Sequence, residues 1–167
     1  MRKIIVIGSP GAGKSTFARK LRDITHLPLY YLDMIWHKAD KTHISREEFD
    51  GKLTEILKTN EWIIDGEYSR TLEMRMRECD TVFLLDFPPD VCIDGIKSRI
   101  GKKREDMPWI AESDDGDFLR YVRDFQTEQL PEIYRLLEKY KNSAEIHVFL
   151  SRAEADGFLK EYINGKR

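Results

Sequence analysis

At 167 residues the chain has room for one domain with a sizeable core and too little for two ordinary ones. With 41% apolar and 35% charged residues it carries enough apolar surface to fold, which excludes a disordered chain. A formal charge of −2 withholds the broad positive field of a protein that coats nucleic acid. Cys79 and Cys92 have neither a CxxC spacing nor a histidine cluster beside them, so they read as small apolar residues rather than as a metal centre or a disulfide framework. No apolar run is long enough to span a bilayer, and the start of the chain passes directly into Ile4 and the glycine loop without a secretory signal; a cytoplasmic protein without a membrane partner is expected.

Taken in order, apolar runs alternate with helical patterns, which is the signature of an α/β domain built on a parallel sheet. A strand is expected over 3–7, then a glycine loop, then a helix over about 14–24. LYYL at 29–32 is the second strand, followed by a polar loop carrying Asp33, Trp36, His37 and His43. SREE at 45–48 makes a capping box of Ser45 with Glu48 and opens a helix that runs to about 58. EWIIDG supplies the third strand and DTVFLLD the fourth, ending at Asp65 and Asp86. Pro88 and Pro89 open another helix, since proline is tolerated in a first turn. From 97 to 117 the sequence turns basic and then acidic, with Gly101, Pro108 and Gly116 as breakers, and a mobile insertion is expected. A long helix over 118–140 should kink or break at Pro131; EIHVFL at 145–150 is the fifth strand, and a helix over 153–163 closes the chain.

The strongest signal lies at Gly8, Ser9, Pro10, Gly11, Ala12, Gly13, Lys14 and Ser15, which spell G-x-x-x-x-G-K-S. Glycines let successive N–H groups turn inward at the start of a helix, where they bind phosphate oxygens. Lys14 should then reach the β- and γ-phosphates, Ser15 should bind Mg²⁺, and Thr16 adds an α-phosphate contact. ATP with Mg²⁺ is the expected cofactor. Three strands end in aspartate, Asp33, Asp65 and Asp86, and ligands of parallel sheets collect at such ends; spacing alone does not select the one that faces the metal.

Four segments, GSPGAGKST, YYLD, WIIDGEYSRT and TVFLLDFPPD, together resemble the adenylate-kinase-related group labelled topology modulation proteins, within the superfamily of nucleoside monophosphate kinases and shikimate or gluconate kinases. The resemblance covers nearly the whole chain. It implies a three-layer P-loop NTPase fold with a five-stranded parallel sheet of order 2-3-1-4-5, helices on both faces and a small lid. It also implies one kinase-like domain over 1–167, with an acceptor segment over about 33–60 and a lid over about 99–117. Strand 3 then lies beside strand 1, so Asp65 joins Ser15 at the metal. By the same carry-over Arg70 holds an acceptor phosphate next to Gly66, Arg99 stands at the entrance to the lid, Arg120 and Arg123 return from it to clamp the transferring group, and Arg152 lies against the base.

The sequence also departs from adenylate kinases. No T-G-D motif occurs between strands 2 and 3, Arg46 is the one arginine there, and D-G-F-P-R becomes DGEYSR. Asp33 is instead similar to the aspartate that orients or deprotonates an acceptor hydroxyl in the small-molecule kinases, with Trp36, His37, His43, Glu67 and Tyr68 as pocket candidates or as packing. The basic run Lys97, Arg99, Lys102, Lys103 and Arg104 reads first as a lid that excludes water from the phosphates, next as a solvated helix end, and last as a nucleic-acid contact. Two functions follow: an ATP-dependent phosphotransferase acting on a nucleoside monophosphate or a small hydroxylated metabolite, as monomer or homodimer, or a nucleotide-binding regulatory protein associated with DNA topology and lacking a dedicated acceptor.

Overall fold

Every expected strand forms, and for the three inner strands the unbroken apolar runs explain why: a strand buried on both faces needs apolar side chains at successive positions, whereas the edge strands at 29–31 and 145–149 are only partly buried. The computed structural model describes residues 1–113 and 115–165; Asp114, inside the expected lid, and residues 166–167 lie outside the described residues. In chain order the elements are β1 (Lys3–Gly8), α1 (Lys14–Thr25), β2 (Leu29–Tyr31), α2 (Leu32–Trp36), α3 (Arg46–Leu57), β3 (Trp62–Asp65), α4 (Ser69–Glu78), β4 (Thr81–Leu85), α5 (Pro89–Lys97), α6 (Gly116–Glu128), α7 (Leu130–Tyr140), β5 (Glu145–Phe149) and α8 (Arg152–Gly165). All strand pairs are parallel and the sheet order is β2-β3-β1-β4-β5, the order that the resemblance implies.

Alternate residues of the central strand face opposite cores. Ile5 and Ile7 join a cluster with Phe49 and Leu53 of α3, Leu72 and Met76 of α4, and Ile133 and Leu137 of α7. Ile4 and Val6 join another with Phe17 and Leu21 of α1, Cys92 and Ile96 of α5, and Leu159 of α8. Helices therefore cover both faces, and both cysteines are buried free thiols. No helix among the described residues is long and apolar enough to cross a membrane.

Three local expectations need correction. Asp33 and Trp36 stand on the short helix α2 rather than in a loop, because the chain turns helical at Leu32, which is fully buried. The break in the long helical segment falls at Gln129 (φ −106°, ψ −43°), with Pro131 inside the first turn of α7, where a missing N–H costs least. The helix α4, which follows DGEY, was not anticipated; an apolar stripe of Leu72 and Met76 buries it. The Ser45 half of the expected capping box forms, Glu48 N–H donating to Ser45 Oγ at 3.1 Å, while the Glu48 carboxylate pairs with Lys52 at 3.0 Å. Between α5 and α6 there is no helix or strand among the described residues, but the segment is folded back on itself, Gly101 N–H donating to Ala111 O at 2.8 Å.

Candidate functional site

Between β1 and α1 the loop is pinned from inside. Ala12 N–H donates to Ser9 O at 3.2 Å, Lys14 Nζ donates to the same oxygen at 2.9 Å, and Ser9 Oγ donates to Pro10 O at 3.3 Å. Gly8 N–H donates to Glu67 Oε2 at 3.2 Å, tying the loop to the chain after β3. Gly13, at φ 97°, leads into α1 without a side-chain cap, and no acidic residue occupies the first turn. The leading amides of α1 are thus left for an anion from outside.

A contact that the sequence did not advertise holds this loop from behind. A Cβ on Gly95 would stand 2.1 Å from Gly11 O, and one on Gly11 would stand 1.9 Å from Cys92 O, so α5 and the loop touch backbone to backbone. Gly95 sits mid-helix, a costly position that signals close packing. Gly95→Ala is expected to destabilise the protein by about 1–3 kcal/mol through overpacking, measured by urea unfolding. Gly51→Ala, on α3 with open space around it, should instead stabilise by about 0.5–1 kcal/mol.

The register Val6↔Asp65 sets the end of β3 beside the loop. Ser15 Oγ donates to Asp65 Oδ2 at 2.5 Å and lies 3.1 Å from Asp106 Oδ2; a hydroxyl has one proton, so the two carboxylates compete for it. Asp65 Oδ1 is buried without a hydrogen-bond partner. Burial pushes the Asp65 carboxyl up to about 6, against the pull of Lys14. Burial likewise lowers the Lys14 ammonium, with Asp65 and then Glu67 holding it charged. Of the other strand ends, Asp33 is near enough to influence Lys14 and Asp65, whereas Asp86 accepts a hydrogen bond from Tyr134 at 2.7 Å.

Arg75 organises the turn from β3 to α4. It is fully buried, donates to Gly66 O at 2.8 Å and to Tyr68 O at 3.1 Å, and also donates to Glu67 O. Desolvation lowers its pKa to about 10, which still leaves it charged. The turn it holds places Tyr68 at φ 36°, a region that bulky residues avoid and that marks stored strain. The Tyr68 hydroxyl donates to Asp33 Oδ1 at 2.7 Å, so the two acceptor candidates are joined. Trp36 stacks on His43 at 4.4 Å and meets Phe49 and Tyr68 edge-on, and it packs as well as lines.

Two clefts of about 340 Å³ each open on the loop. The first lies between α1, α5 and α8, with Thr16, Arg99 and Arg152 on its wall. The second is walled by Ser15, Thr16, Arg19, Arg99 and the segment after α5. Arg99 and Arg152 therefore come to the loop. Arg70 is held by Asp50 through two bonds of 2.9 and 2.6 Å on the surface. Arg120 and Arg123 are exposed on α6 and line neither cleft; Arg120 Nε lies 3.7 Å from Asp124, one turn on. Arg19, Gly95 and Asp106 are the site residues that the sequence did not single out, and of these only the mid-helix glycine carried a local signal; Arg75, which the sequence ranks with Arg77 below Arg120 and Arg123 as a catalytic candidate, is instead the buried brace of the turn.

No protein-family model matches the chain. Among curated proteins it is 31% identical to an adenylate kinase of Thermotoga maritima over 91 residues, 53% of this chain and 40% of that one. It is 29% identical to an adenylate kinase of Thermosipho africanus over 106 residues, 59% of this chain and 48% of that one. The chain thus spans less than half the length of these relatives. Among solved structures, shikimate kinase from Acinetobacter baumannii in complex with shikimate superposes with a TM-score of 0.61 at 17% identity, covering 99% of this chain and 95% of that one. Shikimate kinase from Bacteroides thetaiotaomicron gives 0.57 at 16% identity, with 96% of each chain covered. The fold is that of the P-loop kinases of the shikimate kinase type.

Proposed function

We propose that the protein is an ATP-dependent phosphotransferase that passes the γ-phosphoryl group to a small acceptor. The observation that carries this reading is the meeting of Lys14, Ser15 and Asp65 at the uncapped start of α1, with Ser15 Oγ 2.5 Å from Asp65. Similarity to adenylate kinases in sequence and to shikimate kinases in fold supports it.

Ser15 and Asp65 would hold Mg²⁺. The residues fit that ion, because the orphaned Asp65 Oδ1 is a buried anion atom in want of a cation. When bound, Mg²⁺ neutralises charge on the β- and γ-phosphate oxygens. The chain itself supplies the α1 amides for the phosphates, Lys14 for the γ-phosphoryl oxygens, and Arg99 beside both clefts for charge that develops in transfer. The nucleoside would lie in the cleft between α5 and α8, against Arg152.

On the acceptor side, Asp33 Oδ1 accepts a hydrogen bond from the Tyr68 hydroxyl, which leaves Oδ2 to take the proton of an acceptor hydroxyl. Arg70, already neutralised by Asp50, is poorly placed to serve an acceptor phosphate. A hydroxylated metabolite is therefore favoured over a nucleoside monophosphate. Incubation with Mg-ATP and a panel of both acceptor classes should release ADP with one class only; acceptor-independent ADP, or none, would reject transfer. With the productive acceptor, Asp33→Asn is expected to lower kcat about 10²–10³-fold, while Arg70→Ala changes it less than threefold. A phosphate acceptor would reverse that ranking.

A further inference from the structure

The segment between α5 and α6 contains no helix or strand among the described residues, yet it delivers one carboxylate to the interior: Asp106 is only 3% exposed. Its Oδ2 lies 3.1 Å from Ser15 Oγ and accepts from the Arg104 guanidinium. Its Oδ1 accepts from Arg104 Nε at 3.3 Å and sits 3.7 Å from Arg19. Next to it, Glu105 pairs with Arg22 of α1 at 2.7 Å. Burial works most strongly against the ionised form of Asp106, but the hydrogen bond and charge of Arg104, with a backbone N–H and Ser15, together outweigh it and hold its carboxyl below the usual range.

This cleft, with Arg19, Arg99, Lys103 and Arg104 beside Ser15 and Thr16, has the composition of a polyphosphate site. The anion in it belongs to the chain. Asp65 and Asp106 both approach Ser15 but differ in kind. Asp65 keeps an unpartnered oxygen and fits a cation, whereas Asp106 is already surrounded by guanidinium groups, where a dication would be repelled. Three residues on, the Trp109 ring meets His37 edge-on at 4.8 Å, so the same segment covers the acceptor side.

We infer that Asp106 is an internal anion held in the cation-lined cleft beside the phosphate loop, a latch that a polyphosphate must displace from Arg19 and Arg104 before it can engage those guanidinium groups. This rests on the phosphotransferase reading. Entry of the polyphosphate exchanges one anion for another on the same cations, and the freed segment gives way over the acceptor side as well. The apparent affinity for phosphate is lowered by the fraction of molecules with the latch closed.

The test is titration calorimetry at fixed ionic strength with inorganic tripolyphosphate and with ADP, both without Mg²⁺, on wild type, Asp106→Asn and Asp106→Ser. Asp106 lies outside every helix and strand, and the two variants differ in size, so a packing defect in one would not be shared by the other, and urea unfolding of both reports any loss that comes from the unpaired Arg104. A latch closed in about nine molecules of ten makes both variants bind about tenfold more tightly than wild type. Equal or weaker binding by the variants, with wild type binding measurably, overturns the latch and leaves the transferase reading standing. Unchanged binding of both probes together with weaker binding of Mg-ATP, titrated in parallel on the same three proteins, would mark Asp106 as a cation ligand and also overturn it. Failure of all three proteins to bind either probe, or ATP, would remove both readings together.

Discussion

Lys14→Ala is expected to lower turnover of Mg-ATP by about three orders of magnitude, close to 4 kcal/mol of lost transition-state stabilisation, and to leave the fold intact. The ammonium sits between two demands. It donates to Ser9 O at 2.9 Å, which shapes the loop, and it lies among Asp65, Glu67 and Asp33 in a partly desolvated site. In transfer, negative charge spreads over the oxygens of the moving phosphoryl group, and a positive charge placed beforehand costs no reorganisation at that moment. Removing it leaves Asp65 and Glu67 without their nearest ammonium, but both are buried carboxyls whose pKa burial already raises. They take up a proton instead of unfolding the protein. The melting temperature should therefore move by only a few degrees at neutral pH while single-turnover transfer collapses. Undiminished turnover in a folded variant would reject the proposed role.

Asp65→Asn is expected to separate stability from activity in opposite directions. The carboxyl is raised from 3.8 to about 6 chiefly by burial, so between those values the folded protein keeps a proton that the unfolded chain gives up. Stability from this group falls as pH rises through that window, and above about pH 6 the metal-free fold carries a buried carboxylate without a full counter-charge. Asparagine removes that cost. In metal-free buffer the variant should be more stable than wild type by on the order of 2–3 kcal/mol at pH 8, and the difference should vanish below about pH 4. Urea unfolding across pH reads it directly. Magnesium-dependent turnover should fall by at least about 10²-fold in the same variant, since an amide is a poor ligand for a hard dication. A variant less stable than wild type at pH 8 would show that Lys14 and Ser15 already satisfy the carboxylate.

Much of the site was legible because its information is local. The eight residues from Gly8 to Ser15 specify their own backbone path: glycine where φ is positive, lysine and serine at the first turn of the helix that follows. The inner strands were equally plain, since burial on both faces demands uninterrupted apolar runs, and the N-cap at Ser45 announced α3 within four residues. The turn of the chain at Leu32 was not, because its cause is the burial of one leucine under the sheet.

By itself, then, the sequence determined that a phosphate loop joins a strand to a helix in a parallel α/β sheet, because short-range sterics and side-chain period suffice for that. Only the tertiary structure decided which groups face the loop. Asp65 and Asp86 end their strands alike and both strands pair with β1, yet the register sets Asp65 opposite Val6 and Leu85 opposite Gly8, so that Asp65 meets Ser15 while Asp86, beyond the paired strand, is taken by Tyr134. Arg75 has the helical setting of a solvated arginine and is fully buried, and Arg120 has the setting of a clamp and is paired in solvent. Asp106 reaches Ser15 across 91 residues of chain. No periodicity encodes such a meeting, since it follows from where the sheet carries both ends and from the charge each finds there.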